Sequence, residues 1–299
     1  MRKRLVKHLP VEKQDDVNLY QQVNNYIGAK KLNEQGVLGS DIVVAVLDTG
    51  CDTNHVDLKD NIIEGYNFTD DYERNFFNFI DNNGHGTHVS GIISGLKTGV
   101  APGAKLLILK VLDAKGSGNV QSLVNAIYFA VNWRGPKKER VRIINMSLGL
   151  PFKDDNLHEA IKYSVNAGIP VVSASGNDGD GIQNTNEYRY PAAYNEVIQV
   201  GAIDFKDNIA NFSNSNNEVD LYAPGVKIYS TYLGNKYKIL SGTSMATPII
   251  SGSIALLIES LENKLSRTMN ESEIYAQLIK RTRTLTSVSK EELNGCISF

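Results

Sequence analysis

The chain has 299 residues, 41% of them hydrophobic and 21% charged, and 31 Lys and Arg against 33 Asp and Glu give a net charge of −2. Balanced charge without a basic patch excludes nucleic acid and anionic lipid as expected partners, while the length suffices for a large α/β core. Cys51 and Cys296 are too few for a disulfide framework, and neither an apolar run of ~18 residues nor an export signal is visible, so no membrane segment and a cytoplasmic location are expected.

Residues 1 to about 20 are polar and charged, and read as an arm on the domain. Ile42 to Leu47 is a continuous apolar run that ends at Asp48-Thr49-Gly50, the pattern of a buried parallel strand whose carboxyl end delivers a carboxylate. Similar runs follow at 106–112, 141–146, 169–173 and 197–200. Between them, Val120, Leu123, Val124, Ile127, Ala130 and Val131 recur at helical spacing, as do Leu157, Ala160, Ile161 and Val165 before Gly168. The alternation predicts βαβ units, a mostly parallel central sheet covered on both faces, and ligands at the strands' carboxyl ends. The polar segment from Gly176 to Tyr190 is too long for a simple connection and reads as a functional loop. A last helix is predicted over 244–261, with Ala246, Ile250, Ile254, Leu257, Ile258 and Leu261 on its buried face.

Three short motifs carry reactive side chains: Val46-Leu47-Asp48-Thr49-Gly50, Gly84-His85-Gly86-Thr87-His88 and Ser241-Gly242-Thr243-Ser244-Met245-Ala246-Thr247-Pro248. Each alone has an ordinary reading, as a strand-end cap, a structural histidine and a helix N-cap. Together they supply an orienting carboxylate, a general base and a hydroxyl nucleophile, each beside small residues that allow close backbone approach. A serine hydroxyl needs a base with a pKa near 7, and imidazole provides one. His88 lies three residues after His85, but the HExxH pattern of zinc proteases is absent and His88 reads as a packed structural residue. Cys51 reads as a buried, inert thiol, although a bulky mercurial there would disturb Asp48 or His85. A nucleotide site is suggested by topology alone, because no Gly-rich segment has the required spacing after a strand.

These motifs, in this order and with Ser147-Leu148-Gly149 and Gly176-Asn177 between them, resemble the subtilisin family of serine proteases. TGCDTNHVDLKDNII at 49–63, PAAYNEVI at 191–198 and ESEIYAQLIKRT at 271–282 are similar to the intracellular subtilisins of spore-forming bacteria. The resemblance implies a three-layer subtilisin-like α/β fold over residues 19–299, acting on protein or peptide substrates through an acyl-enzyme. It makes Ser244 the nucleophile, His85 the base and then acid, Asp48 the group that fixes the imidazole, and Asn177 an oxyanion donor with the Ser244 N–H. In the family, losing such a donor costs about 10²–10³ in turnover. An extended substrate would add as a strand between Gly116-Ser117-Gly118 and Ser147-Leu148-Gly149. Intracellular members are commonly dimers, so a homodimer is the expectation by resemblance. The rival reading is a catalytically silent subtilisin-like binding module, whose usual sign, loss of a triad residue, is absent.

Several positions depart from the family pattern. A calcium loop after the catalytic-histidine helix, completed by the match to Asp57, is here only Gly95-Leu96-Lys97-Thr98-Gly99, which lacks acidic ligands. A second cation site resembles the carbonyls of Ala192, Tyr194 and Val197 with the carboxylates of Glu218 and Asp220; the alternative is a pair of solvated surface acids, which leaves calcium open as a cofactor. Thr247 and Ile249 replace the usual residues on either side of Pro248, with no expected effect on catalysis. Arg189, beside the primary specificity pocket with Asp178 near its rim, is expected to favour acidic or hydrogen-bonding side chains. No folding prodomain of the secreted kind fits before Asp48. Residues 1–18 stand where intracellular members carry an inhibitory extension, and Leu5-Val6-Lys7-His8-Leu9-Pro10 loosely echoes its motif, built around the rigid Leu9-Pro10 unit.

Overall fold

The computed structural model describes residues 3–4, 9–10, 17–182, 185–285 and 295–299. Chain order gives β1 (Lys3–Arg4), β2 (Leu9–Pro10), a 3-10 turn at Val17–Gln21, α1 (Gln22–Tyr26) and α2 (Ala29–Glu34). Then come β3 (Val43–Asp48), β4 (Ile62–Asn67), α3 (His85–Ser94), β5 (Lys105–Lys110), β6 (Ser117–Gly118) and α4 (Val120–Asn132). β7 (Val141–Met146), α5 (Asp155–Asn166), β8 (Val171–Ala174) and β9 (Val197–Ile203) continue the alternation. The chain ends with β10 (Leu221–Pro224), β11 (Ile228–Tyr232), β12 (Lys236–Ser241), α6 (Thr243–Leu265), α7 (Glu271–Ile279), β13 (Thr282–Thr284) and β14 (Gly295–Ile297).

The apolar runs become the centre of a nine-stranded sheet of order β13-β14-β10-β9-β8-β7-β3-β5-β4. Every pairing in it is parallel except the β13–β14 hairpin edge. Because side chains alternate along a strand, β3 and β5 feed two cores. Val44, Val46, Leu106 and Ile108 pack with α3 and α6, whereas Val43, Ala45, Leu47, Leu107 and Leu109 pack with α4 and α5. The result is the three-layer α/β fold that the pattern predicts, with helix starts where capping residues stand. Asn119 accepts from the Ser122 N–H at 2.8 Å and Asp154 from the Leu157 N–H at 3.0 Å.

From β3 the chain runs outward to β5 on one side, and through β7 to β8 and β9 on the other. The carboxyl ends of β3 and β7 therefore flank a topological switch point, the crevice where open α/β sheets bind ligands. α6 spans 23 residues and is long and apolar enough to cross a membrane, which no segment is expected to be from the sequence, but 83% of its apolar window is buried inside the domain. It is the core helix, and its burial explains its composition. Two smaller sheets involve the N-terminal arm: β1 pairs antiparallel with β6, and β2 pairs antiparallel with β12, itself paired with β11.

Candidate active site

β3 ends at Asp48, whose carboxylate Oδ1 accepts from the Thr49 N–H at 2.7 Å and lies 2.8 Å from His85 Nδ1. Both side chains are inaccessible to solvent, so this contact forms in a low-dielectric setting where it orients the ring strongly. His85 is the first residue of α3, and the helix can approach β3 only because Gly86 lacks a side chain: a Cβ there would meet the Gly50 carbonyl oxygen at 2.2 Å. Asp81 fixes the approach. One of its oxygens accepts from the Asn83 and Gly84 N–H groups and the Thr49 hydroxyl, each at 2.9 Å. The other accepts from the Thr87 N–H at 2.9 Å and the Thr87 hydroxyl at 2.6 Å. Thr49 Oγ1 in turn accepts from the Gly86 N–H at 2.8 Å. The orphan N–H groups at the start of α3 are thus tied to the turn that carries Asp48.

Beneath this turn lies Lys110, fully buried at the register partner of Asp48. Its ammonium donates to the Thr49 carbonyl at 2.7 Å, the Leu112 carbonyl at 3.0 Å and Asn82 Oδ1 at 3.0 Å, and is 3.1 Å from an Asp71 carboxylate oxygen. Neither Asp81 nor Lys110 is identified from the sequence; the only signal is a Lys ending an otherwise apolar strand and an Asp ahead of the His85 motif.

Ser244 stands in the first turn of α6. Its hydroxyl donates to the Ser147 carbonyl at 3.2 Å, and the Ser147 hydroxyl donates to the Ser244 carbonyl at 2.9 Å. Asn177 reaches the same turn: its Oδ1 accepts from the Thr243 N–H at 2.8 Å and the Thr243 hydroxyl at 2.9 Å. Two donors on Oδ1 settle the orientation of the amide and leave Nδ2 as its donor end. A Cβ on Gly242 would lie 3.2 Å from that Nδ2 and 3.7 Å from the Ser244 nitrogen, so the missing side chain keeps open the space both N–H groups border.

A model of the subtilase family matches residues 39–295. The chain belongs to that family. It is 50% identical over 264 residues to an intracellular serine protease of Paenibacillus polymyxa, covering 87% of this chain and 79% of that protein. Identity is 47% over 298 residues to the major intracellular serine protease of Bacillus subtilis, covering 98% of this chain and 92% of the relative. Subtilisin DY of Bacillus licheniformis is 40% identical over 256 residues, covering 81% and 88%. The protein is therefore a subtilisin-like serine endopeptidase.

In this subtilase the two segments matched to substrate binding lie at different edges of the crevice. Ser117 and Gly118 form β6 and already pair with β1, while Ser147 to Gly149 follow β7 directly. Leu150 and Tyr190 exchange backbone hydrogen bonds of 2.6 and 2.9 Å just beyond. Arg189 is not an isolated charge: its Nε and Nη2 donate to the same Asp178 oxygen at 3.0 and 2.7 Å. Its stem lies against Gly149 and Gly176, where added Cβ atoms would meet its carbons at 3.2 and 2.8 Å. Pairing with Asp178 offsets the positive charge that the sequence suggests for the pocket.

The other sequence candidates resolve into ordinary packing. His88 is buried with Nε2 2.9 Å from the Lys238 carbonyl oxygen, and burial lowers its pKa to about 3, so the ring stays neutral. Burial pushes the Cys51 thiol well up, which suits an inert side chain. Asp57 accepts the Lys97 N–H at 2.9 Å, and burial raises its carboxyl. At the second cation candidate Asp220, Ala192 and Tyr194 have their oxygens engaged. Asp220 accepts from the Gln199 N–H at 2.7 Å and the Tyr275 hydroxyl at 2.6 Å. The Ala192 carbonyl accepts from the Gln199 amide at 3.1 Å and the Tyr194 carbonyl from the Val197 N–H at 2.9 Å, while Glu218 is exposed. Among the described residues, no group of three or more His, Cys, Asp or Glu is arranged to hold a metal.

Proposed function

We propose that Ser244, His85 and Asp48 form the catalytic triad, with Asn177 Nδ2 and the Ser244 N–H stabilising the oxyanion. The observation that carries the reading is the buried 2.8 Å contact between His85 Nδ1 and Asp48. It fixes the tautomer that leaves Nε2 as the base and stabilises the imidazolium once the base has taken a proton. The Ser244 hydroxyl has one proton, now given to the Ser147 carbonyl; attack requires it to turn and deliver that proton to Nε2. Oγ then bonds the scissile carbon, whose oxygen takes the negative charge between the two N–H donors. The imidazolium returns its proton to the leaving amine as the C–N bond breaks, and water, activated the same way, hydrolyses the acyl-enzyme.

An extended substrate would lie as a strand between β6 and Ser147-Leu148-Gly149, where Gly and Ser keep the backbone accessible. Residues 1–18 act as an inhibitory extension. In support, β1 pairs with Ser117 and Gly118, and β2 pairs with Leu240 and Ser241, three residues ahead of Ser244. Leu5 to His8, part of the expected inhibitory motif, lie outside the described residues. The relatives' intracellular designation and the cysteine content support a cytoplasmic role in protein turnover or processing. A homodimer acting without nucleic-acid or membrane partners is part of the same proposal. Calcium has no step in this chemistry.

The test is fluorophosphonate labelling of the full chain, a form lacking residues 1–18, and Ser244→Ala, beside casein hydrolysis with calcium or EDTA. Labelling and hydrolysis by the shortened form, weak labelling of the full chain and none of Ser244→Ala are expected. A folded protein that labels in neither form would transfer the reading to a silent binding module.

A further inference from the structure

Lys110 is a charged group that the proposed chemistry does not use, and it lies wholly inaccessible to solvent beneath the Asp48 turn. Burying an ammonium is costly unless its protons find acceptors, and a buried ion pair is often no more stable than apolar side chains in its place. The identity of the acceptors is therefore the informative point. An ammonium sends three N–H groups in divergent directions from one atom. Here they meet three separate segments, at the Thr49 carbonyl (2.7 Å), Asn82 Oδ1 (3.0 Å) and the Leu112 carbonyl (3.0 Å).

Each segment carries one part of the site. Thr49 follows Asp48, whose own carbonyl accepts from the Val111 and Leu112 N–H groups at 2.9 and 3.1 Å. Asn82 leads into Asn83, whose side chain accepts from the His85 N–H at 3.2 Å and donates to the Ala114 carbonyl at 3.0 Å. Leu112 opens the turn into β6, the strand proposed to receive substrate. Asp71 closes the knot from outside: the oxygen 3.1 Å from the ammonium also accepts from Asn82 Nδ2 at 3.0 Å and the Ala114 N–H at 3.1 Å. The next three residues of its loop, Tyr72, Glu73 and Arg74, have φ of 57, 56 and 63°. Non-glycine residues keep such a left-handed backbone only where their surroundings impose it, and the Asp71 contacts are a constraint of that kind.

We propose that Lys110 is a positioning residue: its ammonium sets the turn after Asp48 against the turn before His85, and β6 against both. It acts through the 2.8 Å contact between His85 Nδ1 and Asp48, not on substrate. The inference rests on the reading of Asp48 and His85 as members of the triad.

The experiment uses the full chain with nitrogen-labelled histidine, in which NMR correlations from the carbon-bound ring protons identify the tautomer of each imidazole. His85→Ala assigns the His85 ring. The rate of Ser244 labelling by a fluorophosphonate and the urea midpoint are measured alongside. Lys110→Met leaves the Asp71 carboxylate without its cation and can fail to fold for that reason, so Lys110→Met/Asp71→Asn is tested beside it and is expected to recover part of the lost stability. In both variants the Thr49 and Leu112 carbonyls lose the donor that joined them. The Nδ1–H tautomer expected for His85 in the unaltered chain should therefore give way toward the mixture of an unconstrained imidazole, and labelling should slow by about tenfold or more. Loosening of the arm on β6 would move the labelling rate the other way. A His85 ring still held as the Nδ1–H tautomer, with undiminished labelling, in the folded double variant would overturn the proposal and leave Lys110 a matter of stability alone. Absence of labelling in every form, with the His85 tautomer still following Lys110, would count against Ser244 as the nucleophile and leave the positioning role standing.

Discussion

Pro248 has no amide proton, so the carbonyl four residues before it, that of Ser244, is released from the hydrogen-bond ladder of α6. The Ser147 hydroxyl takes it at 2.9 Å, and Ser147 Oγ also accepts from Asn145 Nδ2 at 3.2 Å. Asn145 Oδ1 accepts from Ser251, about two turns beyond Ser244 along α6, at 2.9 Å. A proline in α6 thus creates the acceptor through which the end of β7 is fastened to the turn that carries Ser244. Ser147→Ala would leave a buried carbonyl without its donor, a cost of about 1–3 kcal/mol. The variant is expected to unfold at correspondingly lower urea and to show a lower kcat with a smaller change in KM, because the loss falls on the position of Ser244. An unchanged kcat beside lowered stability would show that Ser244 is held without this bond.

At the level of elements, α3 is the instructive case. All ten of its residues are buried, so it carries no apolar stripe, and it begins at a glycine instead of a side-chain cap. Periodicity therefore could not predict it, whereas β3, β7 and α4 were legible from their apolar runs and spacing. The cap comes from Asp81, outside the helix, and its carboxylate is needed because it accepts five hydrogen bonds. Asp81→Asn would set an amide N–H against groups that are themselves donors, removing charged hydrogen bonds worth about 1.5–3 kcal/mol each. A Tm several degrees lower and kcat/KM reduced about tenfold or more are expected, since small displacements of His85 from Asp48 are costly. Full activity in a destabilised variant would mean that the dyad keeps its geometry without Asp81. The contact of Asp48 with His85 was readable because both motifs are local in sequence; Asp81, Lys110 and the Arg189–Asp178 pair were not, because their roles depend on neighbours far along the chain. The short strands β10 to β14 escaped for the same reason, being defined by their pairing more than by their composition.

Across the whole molecule, Asp220 joins the sheet to the C-terminal helix layer, accepting from Gln199 in β9 and from Tyr275 in α7. Burial outweighs both donors and pushes its carboxyl up from 3.8 to about 6. In the unfolded chain this Asp loses its proton near pH 4, but in the native protein it keeps it until about 6, so the unfolded state binds fewer protons in between. Native stability therefore falls as pH rises from about 4 to about 6, by about 3 kcal/mol at most. His88 acts in the opposite sense: its buried neutral ring, with a pKa lowered to about 3, costs stability as acid protonates the unfolded histidine below about 6.5. The two slopes overlap, so a single melting curve against pH cannot separate them. The difference in Tm between Asp220→Asn and the unaltered protein can, because the His88 contribution is common to both. That difference should shift in favour of the variant between pH 4 and 6 and level off above about 7. A cation on Asp220 would reverse the argument, since an ionised carboxylate would then be the stabilised form. The difference would move against the variant as pH rises, and EDTA would abolish the movement. The same titration therefore decides whether this corner of the fold is held by a protonated Asp220 that accepts from Tyr275 and Gln199 or by a metal ion.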